Sequence, residues 1–308
     1  MDCSNTSSNT TGSPTPQRRH KFWQTQPVKQ FEDKGNSTSL PEGPIENPIA
    51  LSEVKKEPYK LTKNFEWVTC DVDSEAMMTE KLRSKGLGPL MIKDLTRRVH
   101  SDNIWQAAYA TGVVIPTPVS TCQISDSSNV AQAKARYALP ESTSTQGLRE
   151  MKFHDVLEVT RLLKECLSQF NIAPVLDEKA VEHWLLPKED VMESYVVESP
   201  ETHEITDYCS FFLLPIALLE NRYHKSIKAA YSLYSVSTKT PLAQMMKDAL
   251  IVAKQKDYDV FSALDVIQNQ SVFEELKCRI GDGRFHYYLD NYRINCELKP
   301  SEMAQVLM

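Results

Sequence analysis

From about residue 150 onward, apolar residues recur at helical and strand spacings with little interruption. Val156, Val159, Leu163, Cys166, Leu167 and Phe170 share one face at a period near 3.6 and predict a helix over about 154–170. A second helix starts at Asp177, a side chain suited to cap free N–H groups, and carries Val181 and Trp184. Runs rich in β-branched and aromatic residues predict strands at 194–198, 205–213, 228–236, 258–264 and 285–291. Pro241 opens a further helix through Leu242, Met245, Met246, Ala249, Leu250 and Ala253. Strands alternating with helices indicate an α/β domain, without an internal repeat.

The first half is less regular. Residues 1–20 are rich in Ser, Thr, Asn and Pro and are expected to be disordered. Phe22-Trp23 follow abruptly, and aromatics beside such a tail need a surface to dock on. Residues 29–60 read as an extended arm, and Glu66-Trp67-Val68 is a short apolar patch. A helix is predicted over about 88–100, with Leu87, Met91 and Leu95 as its buried face. Ile104 to Tyr109 reads as a strand with Gly112-Val113-Val114-Ile115-Pro116 as its exit, and 123–147 reads as polar and irregular.

Composition narrows the classes. The 308 residues allow about two domains, and 41% hydrophobic with 25% charged residues is ordinary for a globular protein. A net charge of −6 argues against nucleic acid as the partner. No apolar run is long enough to span a membrane, and the polar start lacks the apolar core of a signal peptide. The sequons at Asn5, Asn9 and Asn36 are then chance occurrences. Seven scattered cysteines without a C-x-x-C fit a reducing cytoplasm, and neither they nor the seven histidines group as metal ligands.

The strongest chemical signal is Arg83-Ser84-Lys85-Gly86-Leu87-Gly88, followed at once by Pro89 and the helical pattern. Glycines let backbone N–H groups converge, a helix N-terminus adds positive potential, and Lys81, Arg83 and Lys85 add charge, which suits phosphate oxygens. Pro89 fits the first helical turn. A flexible turn entering a helix would carry the same glycines, so both readings stay open at this point.

Several stretches together resemble the eukaryotic N-myristoyltransferases, the glycylpeptide N-tetradecanoyltransferases. They include Phe22-Trp23-Gln24-Thr25-Gln26-Pro27-Val28, Glu57-Pro58-Tyr59-Lys60-Leu61, Lys81-Leu82-Arg83-Ser84-Lys85 and Thr96-Arg97-Arg98-Val99-His100. Glu182-His183-Trp184, Ala229-Ala230-Tyr231-Ser232, Ala263-Leu264-Asp265 and Gly281-Asp282-Gly283 continue the match. The resemblance implies an α/β (α+β) acyl-CoA N-acyltransferase-like (GNAT-like) fold. It divides the chain into a tail (1–20), an N-terminal acyl-CoA-binding lobe (21–148) and a C-terminal peptide-binding lobe (149–308). It implies a cytoplasmic, monomeric acyltransferase with myristoyl-CoA as co-substrate, Gly-initiated peptides as acceptors, and neither metal nor further cofactor.

By the same resemblance, Arg83, Ser84, Gly86, Leu87 and Gly88 would cradle the CoA pyrophosphate, with Gly86 standing where the family usually has Arg. Lys21, Phe22 and Trp23 would close over the acyl-CoA. Gly112, Tyr231, Asp282 and Gly283 would line the peptide site. The carboxylate of Met308 would be the catalytic base, at the end of an apolar tail of Met303, Val306 and Leu307. The chain departs from the family just before Lys81, where Asp71–Glu80 replaces a long stretch with the strand whose amides form the oxyanion hole. It departs again after Cys122. Phe212, Ile216, Ser262 and Arg284 stand where the family has Tyr, Ser, Asn and Asn. The N-terminal lobe is thus expected to lack part of its sheet while the C-terminal half is complete. The alternative function is a shortened, weakly active or inactive member that binds peptides or partners.

Overall fold

A computed structural model of the chain describes residues 26–27, 41–59, 88–112, 118–128, 139–217 and 226–306. The ten strands among them are β1 (Gly43–Pro44), β2 (Ala107–Thr111), β3 (Ser120–Ser128), β4 (Leu148–Glu150), β5 (Met192–Glu198), β6 (Ile205–Ala217), β7 (Ser226–Val236), β8 (Val260–Leu264), β9 (Arg279–Asp290) and β10 (Tyr292–Arg293). The helices are α1 (Gly88–Ser101), α2 (Val156–Leu167), α3 (Glu178–Leu185), α4 (Leu242–Gln255) and the single turn α5 (Gln270–Phe273). Eight strands form one sheet in the order β2-β9-β3-β8-β7-β6-β5-β4, and β1 pairs separately with β10.

Every pairing is antiparallel except β7 with β8, which run parallel, Ala229 to Tyr231 against Val260 to Ser262. A parallel pair needs a crossover, and α4 supplies it. The sheet is covered on both faces. Val156, Val159, Leu162, Leu163 and Leu167 of α2 and Val181 and Leu185 of α3 pack into one cluster with Leu233, Tyr234 and Leu264. Met245, Met246, Ala249, Leu250, Val252 and Ala253 of α4 pack into the other with Tyr195, Phe211 and Phe261. Two-sided burial explains why β7 reads as a nearly continuous run from Ala229 to Val236.

Buried carboxylates hold the connections. Asp207, fully buried, accepts the N–H groups of Thr238, Lys239 and Thr240 at 2.6, 2.9 and 3.2 Å, fixing the turn into α4. Asp248 inside α4 accepts the N–H groups of Ser144 and Thr145, both at 3.0 Å, and anchors the approach to β4. Asp177 caps α3 as expected, accepting from Ala180 at 2.8 Å.

Three expectations change. Residues 123–128, the start of the stretch 123–147 read as irregular, belong to β3, hydrogen-bonded to β8 on one side and β9 on the other. Ser and Asp are weak strand formers, but a central position with two partners outweighs propensity. Strand β9 starts at Arg279 rather than near 285, because its glycines make a bulge and not a turn. Leu95 is 61% exposed, and α1 turns Ile92, Thr96, Val99 and His100 toward its neighbours instead. His100 stacks on Trp105 with ring centroids 4.1 Å apart, which fixes that choice of face.

The described part of the arm, 41–59, is interrupted by a turn in which the Glu53 N–H donates to Ala50 O at 2.8 Å, and it is tied down at both ends. Near one end β1 pairs with β10; at the other, the Tyr59 N–H donates to Asp94 of α1 at 3.1 Å.

Candidate active site

Near the middle of the sheet, β9, β3, β8 and β7 lie side by side, and the sequence-predicted peptide residues gather there. Gln123 faces Arg284 and Ser125 faces Ile280, so Gly281, Asp282 and Gly283 on β9 stand opposite Ile124 alone. The bulge is held by one side chain. The Gln123 amide donates to Gly281 O at 2.6 Å and Gly283 O at 3.1 Å, while its oxygen accepts from the Arg284 guanidinium at 2.9 Å. A Cβ on Gly281 would meet an Asp126 carboxylate oxygen at 2.7 Å and the Ile124 carbonyl at 3.3 Å, so a larger residue there would have to displace the Asp126 side chain.

Gly112 closes β2 beside this bulge, with Arg284 O at 3.8 Å from where its Cβ would be. Tyr231 reaches the same row across two registers: it pairs with Ser262 of β8, which pairs with Asp126 of β3. Gly112, Tyr231, Asp282 and Gly283 therefore lie in neighbouring strands around Asp126. Gly88 is the first residue of α1. Lys21, Phe22, Trp23, Arg83, Ser84, Gly86, Leu87 and Met308 lie outside the described residues.

The chain's last described segment enters this region. Met303 bridges Ile172, the Ala304 N–H donates to Ile172 O at 2.8 Å, and Met303, Ala304 and Val306 are buried. Tyr287 of β9 donates its hydroxyl to Gln305 O at 2.7 Å. Tyr234 meets the Val306 main chain because β7 bulges: Cys209 faces Ser235 and Phe211 faces Ser232, so Ser210 faces two residues. The Ser210 hydroxyl satisfies both the N–H and the carbonyl of Tyr234, each at 3.3 Å.

The surroundings are dry. Burial pushes Cys122 and Tyr234 up to about 12, and raises Tyr231 and Tyr287 as well. Burial also raises Asp265, which pairs with Gln123 by accepting its N–H at 2.8 Å. Tyr287 and Tyr234 thus meet the incoming tail as neutral phenols, Tyr287 donating to Gln305 O and Tyr234 accepting from the Val306 main chain. Burial alone raises the pKa of a carboxyl group and makes its carboxylate a stronger base, whereas hydrogen-bond donors to it act the other way.

Neither Gln123 nor Asp265 was given a site role from the sequence, although Asp265 stands in the family-like stretch Ala263-Leu264-Asp265. Their signal was weak: Gln123 sits in the stretch read as irregular, and a lone Gln carries no spacing. Among the described residues, no group of three His, Cys, Asp or Glu could hold a metal ion. Nor is any helix among them long and apolar enough to cross a membrane.

Comparison with known proteins gives these features a context. The profile of the myristoyl-CoA:protein N-myristoyltransferase C-terminal domain matches residues 119–306, and that of the N-terminal domain matches 77–122. Glycylpeptide N-tetradecanoyltransferase 1 of Arabidopsis thaliana is 42% identical over 390 residues, covering 94% of this chain and 90% of that protein. Glycylpeptide N-tetradecanoyltransferase 2 of Danio rerio is 43% identical over 246 residues, covering 74% of this chain and 50% of that one. The crystal structure of Saccharomyces cerevisiae N-myristoyltransferase with bound myristoyl-CoA superposes with a TM-score of 0.80 at 26% identity, covering 94% of this chain and 99% of that chain. Two domain profiles meeting at Cys122 and relatives matched along most of the sequence leave one assignment: the chain belongs to the myristoyl-CoA:protein N-myristoyltransferase family.

Proposed function

We propose that the chain transfers a myristoyl group from myristoyl-CoA to the N-terminal glycine amine of proteins, by direct attack of the amine on the thioester. The glycine nitrogen forms the amide bond, the carbon–sulfur bond breaks, and CoA leaves as its thiol. A base takes the ammonium proton first, and the family resemblance gives that role to the carboxylate of Met308. The observation that carries this reading is the burial of Met303, Ala304 and Val306 beside Tyr234 and Tyr287. The chain has only two residues beyond Val306, a reach of at most about 7 Å, and this short distance supports giving the Met308 carboxylate the role of base.

In this reading Lys21, Phe22 and Trp23 lie against the acyl-CoA, and Arg83, Ser84, Gly86, Leu87 and Gly88 hold its pyrophosphate at the start of α1. Gly112, Tyr231, Asp282 and Gly283 receive the peptide, with Gln123 keeping the bulge in shape. A cytoplasmic monomer is the form proposed. Incubating the purified chain with myristoyl-CoA and a Gly-initiated peptide, and weighing the product, tests the whole. Amide product that depends on both substrates is expected, and its complete absence overturns the proposal.

A second reading has its own support. The match to the Arabidopsis relative spans 390 residues, more than the 308 of this chain, so that relative carries residues with no counterpart here. If the oxyanion strand is among them, loss of such donors lowers the rate by about 10²–10³. The chain would then be a peptide- or partner-binding member of the family. The same assay separates the two: peptide binding without product supports this one.

A further inference from the structure

The sheet face that carries α2 and α3 continues past Tyr231 into an apolar strip. Residues opposite each other in a ladder share a face, and so do alternate residues of one strand. The register of β6 against β7 sets Phe212 opposite Tyr231, Leu214 opposite Ala229 and Ile216 opposite Ile227. Phe212 and Tyr231 pack with the cluster that holds α2 and α3, and their ring centroids lie 5.2 Å apart. Leu213 and Ala230, one residue along each strand, pack with the opposite cluster, as the alternation requires. Beyond the Phe212–Tyr231 row Ala229 is still fully buried, but Ile227 is half-buried, and Leu214 and Ile216 are 38% and 39% exposed.

This strip is continuous with the residues that receive the peptide in the reading above. The row of Tyr231 runs through Ser262 to Asp126, and the row of Leu214 and Ala229 runs on to Val260. Phe212, Leu214, Ile216, Ile227, Ala229 and Val260 carry no charge and no side-chain donor or acceptor. Lys228, between two of them in sequence, points to the other face, with its Nζ 4.5 Å from the centroid of the Tyr258 ring. An apolar side chain laid on the strip leaves water at a gain, while a polar one loses its water without finding a partner. The row of Ile216 lies four residues from that of Tyr231, about 13 Å, which about four residues of an extended peptide span. Phe212 and Ile216, two of the departures noted in the sequence, both fall here.

We propose that Leu214 and Ile216 of β6 are specificity-determining residues for the acceptor, selecting Gly-initiated peptides with an apolar side chain within about four residues of the one that meets Tyr231. The inference rests on the reading that Gly112, Tyr231 and Gly283 line the peptide site. It adds the class of acceptor that this site prefers.

Gly-initiated octapeptides with either Leu or Ser placed at each later position in turn test it on the full chain. Peptide affinity is read by titration in the presence of myristoyl-CoA, and product by mass. At one or two positions Leu is expected to bind about tenfold more tightly than Ser, as partial burial of one apolar side chain would give. Leu214→Ser and Ile216→Ser are each expected to bring that ratio to within about threefold, while Ile216→Val keeps it. The ratio compares two peptides on one protein, so a general loss of stability does not move it. A ratio near one at every position in the parent overturns the inference, and so does a ratio that survives in both serine variants; in either case product formation leaves the transfer reading standing. Leu-selective binding that both serine variants lose, without product from any peptide, supports the specificity surface and overturns the transfer reading. Absence of both peptide binding and product overturns the two together.

Discussion

Asp290, the last residue of β9, shows how one side chain can make arm docking depend on pH. Burial, with Glu46 adding like charge, pushes its carboxyl from an ordinary 3.8 up to about 6. The folded form thus holds its proton more tightly than the unfolded chain. Its favourable contribution is complete below about pH 3.8 and is lost as pH rises through about 6. Asp290→Asn removes the ionisation, so the variant is expected to lose less stability than the parent between pH 4 and 7. Thermal melts across that range check it, and parallel curves would show that Asp290 does not titrate there. Gln123 is the other residue with a defined task. Gln123→Leu leaves the carbonyls of Gly281 and Gly283 and the Arg284 guanidinium without their partner, at a cost of about 1–3 kcal/mol. Denaturant midpoints measure that loss, and a raised peptide KM is expected alongside it because the bulge carries Gly283.

Among the elements, what the sequence revealed depended on how much of each residue's surroundings was local. α2 and α4 were readable because their apolar faces repeat at helical spacing, and α3 because Asp177 caps it within three residues. β3 was not readable. Its Ser-Asp-Ser-Ser end has no local reason to extend, and only pairing to β8 and β9, more than 130 residues away, makes it a strand. The same distance hid the role of Gln123. The start of β9 was hidden because the glycines at 281 and 283 signal a break in either case, and only the register separates a bulge from a turn. The exposed Leu95 shows the converse error, where correct spacing pointed to the wrong face because Trp105 had claimed the other. One element owes its geometry to a single buried carboxylate. Asp207→Ala strips the turn before α4 of the acceptor for three N–H groups, and α4 has no side-chain cap of its own. A loss of about 3 kcal/mol in unfolding free energy is expected, read from urea midpoints at unchanged slope.

For the whole molecule, the decisive relation is between the sheet and the tail that returns to it. Met303, Ala304 and Val306 are buried, Met303 and Ala304 meet Ile172, and Tyr287 of β9 donates to Gln305 O while Tyr234 of β7 meets the Val306 main chain. If the tail served only to fill the core, its apolar mass would matter and its terminal charge would not. If it delivers the base, the position of the charge is decisive. Adding one Gly after Met308 separates these cases, because it keeps every apolar residue and moves the carboxylate by up to about 3.6 Å. The base reading expects the extended chain to keep its melting temperature and lose at least about 10²-fold in kcat, since general base catalysis contributes about 10²–10⁴. Removing Leu307 and Met308 should lower kcat as severely, because the chain's carboxylate then sits on Val306 instead of on residue 308. Full turnover by the extended chain would show that the carboxylate of residue 308 takes no part in the chemistry and would return the tail to a packing role.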